Sequence, residues 1–180
     1  MRMTKRTVVL WAWLAVLAFT RPATAQESLR ITPTVRDGRV LVTFELTDAF
    51  NQAVHEAIAS GLRTTFSYEL ELRTVVPGWI DRTIAKTVVT TSDQFDNLTR
   101  RHTLTRTIDG RIEEVTVTEN EAAVKAWLTE WPRVQMCDTS RLDATRDYYV
   151  RITTRTKPVG GSLLGLTRSV SGQAKFTFIP

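Results

Sequence analysis

The chain has 180 residues, of which 42% are hydrophobic and 24% charged, and its formal net charge is +5. Four basic residues and no acidic residue precede Gln26, so the remainder carries 20 basic and 19 acidic residues. The basic pI therefore gives no support to nucleic-acid binding, and we expect no nucleic-acid partner.

Residues 1–25 have the three parts of a secretory signal peptide: a positively charged start, an apolar run over 7–20, and small residues at Ala23 and Ala25. We expect cleavage after Ala25 and export to the periplasm or envelope of a bacterium. Retention as an uncleaved anchor is the alternative, although the run is short for a membrane span of about 20 residues. No later run reaches that length, so the sequence predicts a single mainly-β domain over 26–180 without a transmembrane span.

A hairpin opens the predicted domain. Residues 29–36 alternate between apolar and polar, and Pro33 places this strand at a sheet edge because proline has no N–H to donate. Asp37-Gly38 is typical of a two-residue turn. The return strand over 40–47 alternates with a period of two, so it has one buried face.

A short helix and a long strand follow. Thr47 or Asp48 is predicted to cap the helix, and Gly61 to end it in a left-handed conformation. Residues 66–73 then alternate as a strand with one buried and one wet face. The apolar stripe of the helix repeats every four residues: Phe50, Val54, Ile58 and Leu62.

The second half of the chain is again rich in strands. Residues 80–91 are predicted as a strand and 92–97 as a polar loop, and Asp109-Gly110 marks a second hairpin. Thr118 and Glu121 match a capping box for a second helix, which Pro132 should stop. Further strands are predicted over 134–136, 148–153 and 174–178, with a polar loop over 141–147.

Six or more strands with one apolar face each exceed what two short helices can cover. The uncovered faces must then bury one another. The sequence predicts an α+β, mainly-β fold: an antiparallel two-sheet sandwich or a strongly curled sheet with two short helices. A single flat sheet with both helices on one face is the alternative.

The residues suggest no catalytic or metal site and no cofactor. His55 falls on the polar side of the first helix and His102 in a strand, and neither has a second ligand at metal spacing, so both are interpreted as surface or structural. Cys137, the single cysteine, is expected to be a buried small residue. The acidic residues of two loops are interpreted as solvated: Asp93, Asp96, Asp138, Asp143 and Asp147.

Two features suggest binding. Leu163, Leu164 and Leu166 lie in a Gly-rich loop over 159–166, where they either dock a partner or membrane or tuck into the fold. Arginines predicted on outward strand faces form either a patch for anionic groups or a solvated face balanced by glutamates. These are Arg30, Arg36, Arg73, Arg106, Arg151 and Arg155.

The helix end at 57–62, Ala-Ile-Ala-Ser-Gly-Leu, running into Phe-Ser-Tyr-Glu at 66–69, resembles the exported bacterial proteins of domain of unknown function 4390. The later order is also similar: a short helix over 122–131, the Tyr148-Tyr149 strand, a Pro/Leu loop and a final aromatic strand. The resemblance implies an exported protein of this architecture and brings no established activity.

Three functional hypotheses follow. The first is a non-enzymatic envelope protein that binds a partner protein or lipid. The second is a hydrolase whose site is assembled from scattered side chains, which requires a concave pocket with a perturbed carboxylate. The third is an accessory or sensor domain for a membrane-bound kinase.

Overall fold

The computed structural model describes residues 28–158 and 168–179, which form two antiparallel sheets and two helices. The strands are β1 (Ser28–Arg36), β2 (Arg39–Thr47), β3 (Thr64–Thr74), β4 (Arg82–Asp96), β5 (Arg101–Ile108), β6 (Arg111–Thr118), β7 (Glu130–Asp138), β8 (Asp147–Pro158) and β9 (Arg168–Thr177); the helices are α1 (Gln52–Ala59) and α2 (Glu121–Thr129). The three-stranded sheet has the order β1-β2-β7, and the six-stranded sheet has the order β6-β5-β4-β3-β8-β9. This confirms the mainly-β, two-sheet prediction, and the alternative of a single flat sheet is wrong.

The core lies between the inward faces of β2 and β3, one from each sheet. Phe44 and Tyr68 touch across the gap with ring centroids 4.9 Å apart. Each large apolar side chain buried there contributes roughly 1.5–3 kcal/mol. The alternation read from the sequence is confirmed in both strands, whose buried residues are Val40, Val42, Phe44 and Leu46 in β2 and Phe66, Tyr68, Leu70 and Leu72 in β3.

The sheets also approach each other at β1 and β9. β1 is an edge strand, as Pro33 predicts. A Cβ atom placed on Gly172 of β9 would lie 3.2 Å from Leu29 Cβ and 3.3 Å from Ile31 Cδ1. The close approach of β1 and β9 therefore requires a residue without a side chain at position 172.

Helix α1 starts later than predicted. Asn51, not Thr47 or Asp48, is the N-cap, and its side chain accepts from the Val54 amide at 3.1 Å. The predicted end is confirmed, since Gly61 has a φ of +78°. The amides of Gly61 and of the residue after it bond back into the last turn, which completes a Schellman cap.

The polar loop predicted over 92–97 is wrong, because β4 continues to Asp96. Thr64 of β3 pairs with Asp93, and Phe95 pairs with His102 of β5. Two neighbouring ladders thus supply backbone partners that outweigh the low strand preference of Asp and Gln. Both predicted hairpin turns are confirmed, with positive φ at Asp37-Gly38 and Asp109-Gly110.

The second helix runs into a strand without a loop. Asn120 caps α2 by accepting from two amides of the first turn, in place of the predicted Thr118 and Glu121 pair. The helix ends at Thr129 and β7 begins at Glu130, so Pro132 lies inside a strand that is longer than predicted. A bulge opposite Thr43 of β2 accommodates the proline, and Arg133 there has a φ of +52°.

Side chains from three strands hold the end of α2. The Leu128 carbonyl accepts from the Tyr68 hydroxyl at 2.6 Å and from the Thr91 hydroxyl at 3.1 Å. Arg106 donates to the Trp127 carbonyl at 3.3 Å and to another carbonyl just beyond the helix. Terminal helix carbonyls that lack intrahelical partners are thereby satisfied inside the fold.

Within the described residues, no helix has the length and apolar character that a membrane crossing requires.

We expect the two hydroxyl bonds to Leu128 to be coupled. Tyr68→Phe and Thr91→Val should each lower the free energy of unfolding by about 1 kcal/mol, because the other hydroxyl still satisfies the carbonyl. The double variant leaves the buried carbonyl without either bond and should lose about 1 kcal/mol more than the sum. Urea denaturation of the four proteins measures this interaction energy.

Tyr149→Phe is the matched control, because it removes a hydroxyl bond to the carboxylate of Asp81 instead. Combined with Thr91→Val, it should be additive within about 0.5 kcal/mol. Additive behaviour of the Tyr68 and Thr91 pair would contradict a shared role at the helix end.

Candidate functional site

A cleft of about 680 Å³ opens at one end of the six-stranded sheet. It lies where α1, the first turn of α2 and the turn between β4 and β5 meet. Its floor is apolar and its rim is polar. The cleft is lined by His55, Ile58, Ala59, Phe95, Asn97, Thr99, Arg100, His102, Glu119 and Glu121.

A buried aspartate holds one wall of the cleft in place. Asp93 has no exposed surface, and its Oδ2 lies 2.9 Å from His102 Nδ1. The His102 ring packs on Phe95 with centroids 4.5 Å apart. Because Nδ1 is engaged by Asp93, Nε2 is the ring nitrogen that remains for a group in the cleft.

Burial raises the pKa of Asp93, since a charged carboxylate loses its hydration inside the fold; the hydrogen bond and charge of His102 oppose this shift. Only Oδ2 of this carboxylate is bonded, and Oδ1 is buried without a hydrogen-bond partner. The buried hydrogen bond between Asp93 and His102 thus fixes the orientation of the His102 ring at the cleft.

The second histidine faces the same cleft from α1. His55 Nδ1 lies 2.7 Å from Glu121 Oε1, at the first residue of α2. This contact ties the two helices together across the opening. Both histidines of the chain, 47 positions apart, therefore lie on one cleft, each with its Nδ1 held by a carboxylate.

The rim carries one unpaired cation. Glu119 is bonded by Arg101 at 3.0 Å, so its charge is compensated. Arg100, the residue before Arg101, has a φ of +56° and no carboxylate partner among the residues that the structure describes. The Asn97 side chain lies beside Gly61, where an added Cβ would come within 3.0 Å of Asn97 Nδ2.

These groups form a hydrogen-bonding surface over an apolar floor. His102 Nε2, the Asn97 amide and the Arg100 guanidinium provide donors, and His102 also provides an accepting nitrogen in one tautomer. In residues 28–158 and 168–179, no three His, Cys, Asp or Glu side chains are grouped so that they would hold a metal ion.

The six predicted arginines are not brought together. Arg30 and Arg36 lie on β1 in the smaller sheet, opposite Glu45 and beside Asp37 respectively. Arg73, Arg151 and Arg155 share the outer face of the larger sheet, where Arg151 is paired in register with Glu71. Acidic residues therefore alternate with these arginines.

The outward position predicted for Arg106 is wrong. His102 and Leu104 face inward on β5, and the period of two turns Arg106 inward with them. Its guanidinium stacks 4.1 Å from the centroid of the Trp127 ring and 5.0 Å from that of Trp131. Burial lowers the pKa of Arg106, and its role is to bind the end of α2.

Other candidate residues are accounted for. Leu163, Leu164 and Leu166 and the cleavage position at Ala25 lie outside the described residues. Cys137 is buried, as expected, and burial raises the pKa of its thiol. Asp96 and Asp143 do organise exposed turns, where each accepts from a neighbouring amide and a threonine hydroxyl.

The sequence interpretation missed the cleft for two reasons. The polar run over 92–97 predicts a solvated loop, so it gives no indication of a buried carboxylate beside His102. His55 lies on the polar side of α1, as predicted, but that side faces Glu121 and the cleft. The signal that could have revealed the cleft is the alternation of inward and outward residues along β4. When this alternation is extended to Asp93, it places Thr91 and Asp93 on the inward face with Val89.

Comparison with known proteins gives a family assignment. The family model described as Domain of unknown function (DUF4390) matches residues 24–159, in agreement with the resemblance read from the helix end and the following strand. No curated protein and no solved structure matches the chain.

The raised pKa of Asp93 predicts a pH-dependent loss of stability. The folded state keeps this proton at pH values where the unfolded carboxylate, with a pKa of about 3.9, has lost it. The stability of the wild type relative to Asp93→Asn should therefore fall as pH rises above about 4, until the folded pKa is passed. Urea denaturation at a series of pH values measures the difference.

Asp96→Asn is a control of opposite sign. Hydrogen bonds from Leu98, and then Thr99, lower the pKa of the exposed Asp96 carboxyl. The contribution of Asp96 to the free energy of unfolding is present at neutral pH and should be lost as pH falls below about 4. Identical pH profiles for the two variants would contradict the difference in burial.

Proposed function

The chain belongs to the DUF4390 family, and from that premise we propose that it is an exported binding protein of the bacterial envelope. Its cleft holds the carboxylate-bearing end of a partner, and no bond is made or broken in the process. The observation that carries the proposal is the convergence of both histidines and the unpaired Arg100 on one cleft.

The charges on the rim support an anionic group. Arg101 bonds Oε1 of Glu119 and His55 contacts Oε1 of Glu121, so one oxygen of each carboxylate is already engaged. Arg100 has no carboxylate partner among the described residues, and a guanidinium binds a carboxylate through two parallel hydrogen bonds.

The floor supports an apolar group next to that carboxylate. Ile58 is buried at the base of α1, and Phe95 packs against the core from β4. Ligand sites of this kind combine an apolar lining with a few fixed polar groups. The free carboxyl end of a peptide with an apolar last residue meets both conditions.

The test uses protein beginning at Gln26, which retains all described elements, and a short peptide ending in Val-Leu with a free carboxylate. Its amidated form is the matched ligand. Arg100→Gln should weaken binding of the acid about tenfold or more, the value of a charged hydrogen bond, and leave the amide unchanged. NMR shifts of the two histidine rings report occupancy.

Arg63→Gln is the control variant, because Arg63 is exposed beside β3 without lining the cleft. Equal affinity for acid and amide, or ring shifts that persist in Arg100→Gln at the same peptide concentration, would contradict carboxylate recognition.

General-base catalysis is the second candidate function, favoured by the buried Asp93–His102 pair. A carboxylate that holds a histidine through Nδ1 orients the ring, so that Nε2 can take a proton from water. Hydrolysis of chromogenic esters and phosphodiesters should then fall at least 100-fold in His102→Ala. Rates that equal the buffer background in wild type would reject this candidate and leave the binding proposal intact.

A further inference from the structure

The loop between β3 and β4, residues 75–81, presents two large apolar side chains to water. Trp79 is 80% exposed and Ile80 is 77% exposed, and they are adjacent in the chain. Isolated exposed apolar residues are ordinary, but neighbouring large ones at the tip of a long hairpin are typical of a contact surface.

Hydrogen bonds fix the conformation of this loop. Pro77-Gly78 forms the centre of a tight turn, with Gly78 at φ +75° and the Trp79 amide bonded to the Val76 carbonyl at 3.1 Å. The Asp81 carboxylate accepts from the Val76 amide at 3.3 Å and from the Tyr149 hydroxyl at 2.7 Å. The loop is therefore preorganised with Trp79 and Ile80 outward.

Two further hydrogen bonds fix the base of the loop to the sheet. Arg73 of β3 donates to the Asp81 carbonyl at 2.8 Å, and the Val75 amide donates to the Asp147 carbonyl at 3.0 Å. Because both stems are bonded, burying the two apolar side chains against the domain would break several hydrogen bonds.

A basic groove of about 490 Å³ adjoins this loop. It is lined by Arg82, Arg141 and Arg146, together with a single acidic residue, Asp143. Arg146 lies 3.4 Å from Asp143, and Arg141 donates to the Ile84 carbonyl. Arg82 has no carboxylate partner in the part of the chain that the structure describes, so the groove has an excess of positive charge.

We propose that this end of the domain docks on a lipid surface with anionic phosphate headgroups. Trp79 and Ile80 enter the boundary between headgroups and acyl chains, where the indole ring is most favourably placed. The arginines of the groove bind headgroup phosphates. The combination of a protruding apolar pair with adjacent unpaired positive charge is complementary to such a surface.

The docked orientation places the histidine cleft away from the bilayer. The loop leaves β3 at Thr74, whereas the cleft surrounds the other end, where Thr64 pairs with Asp93. β3 has 11 residues, so its ends are separated by ten steps of about 3.3 Å, or about 33 Å. The docking surface and the cleft are thus separate, and each is testable without the other.

The test measures co-sedimentation of protein beginning at Gln26 with vesicles of phosphatidylglycerol and phosphatidylcholine, and with phosphatidylcholine alone. Binding to the anionic vesicles should weaken with added salt. Arg82→Glu reverses one charge at the surface and should weaken binding about 30-fold. Trp79→Ser should abolish the salt-resistant part of the binding.

Two control variants at the cleft end of the domain match the changes at Trp79 and Arg82. Leu98→Ser alters a side chain that is 95% exposed in the β4–β5 turn, and Arg63→Glu reverses an exposed charge just before β3. Neither should change vesicle binding. Trp79 emission should shift to shorter wavelength on binding, because its indole ring leaves water. Trp127 and Trp131 pack against Arg106, so their emission should not change.

Three results would overturn the proposal. The first is no binding to anionic vesicles at low salt. The second is equal binding by wild type and Trp79→Ser. The third is loss of binding in Leu163→Ser/Leu164→Ser while Trp79→Ser binds normally, which would assign the membrane contact to the Gly-rich loop.

Discussion

The hydrogen bonds to the Leu128 carbonyl join parts of the fold that the chain order keeps apart. Tyr68 comes from β3 and Thr91 from β4, while the carbonyl belongs to the last turn of α2. The following residues enter β7, which pairs with β2 in the other sheet. A single peptide group therefore connects the six-stranded sheet, a helix and the three-stranded sheet, and its position sets how the two sheets face each other.

The same helix connects the core with the cleft. Its first residue, Glu121, bonds His55, and its last turn is held by Tyr68, Thr91 and Arg106. Nine residues at about 1.5 Å each separate these ends by roughly 13 Å. The cleft is thus bounded on one side by an element fixed at both ends, which keeps Glu121 and the His55 ring bonded to it in place before any ligand arrives.

The sequence predicted what depends on local periodicity. The two-sheet architecture followed from the inward rows of β2 and β3, and the turns followed from Asp37-Gly38 and Asp109-Gly110, where both residues need positive φ. The cleft did not follow, because it depends on pairing between β4 and β5 that buries Asp93 beside His102. Arg106 shows the same limit. Its polar character predicts a solvent-exposed position, but it binds carbonyls and indole rings contributed by α2 and the start of β7.

The direct passage from α2 into β7 fixes the length of the chain between Asn120 and Val134. The cap at Asn120 sets the start of the helix, and the pairing of Val134 with Val42 sets the strand. An inserted residue between them has no loop to enter, so it must either overwind the helix or move Val134 and Met136 to the solvent face. Natural relatives should therefore vary freely in length at the exposed hairpin turns and hardly at all in this segment.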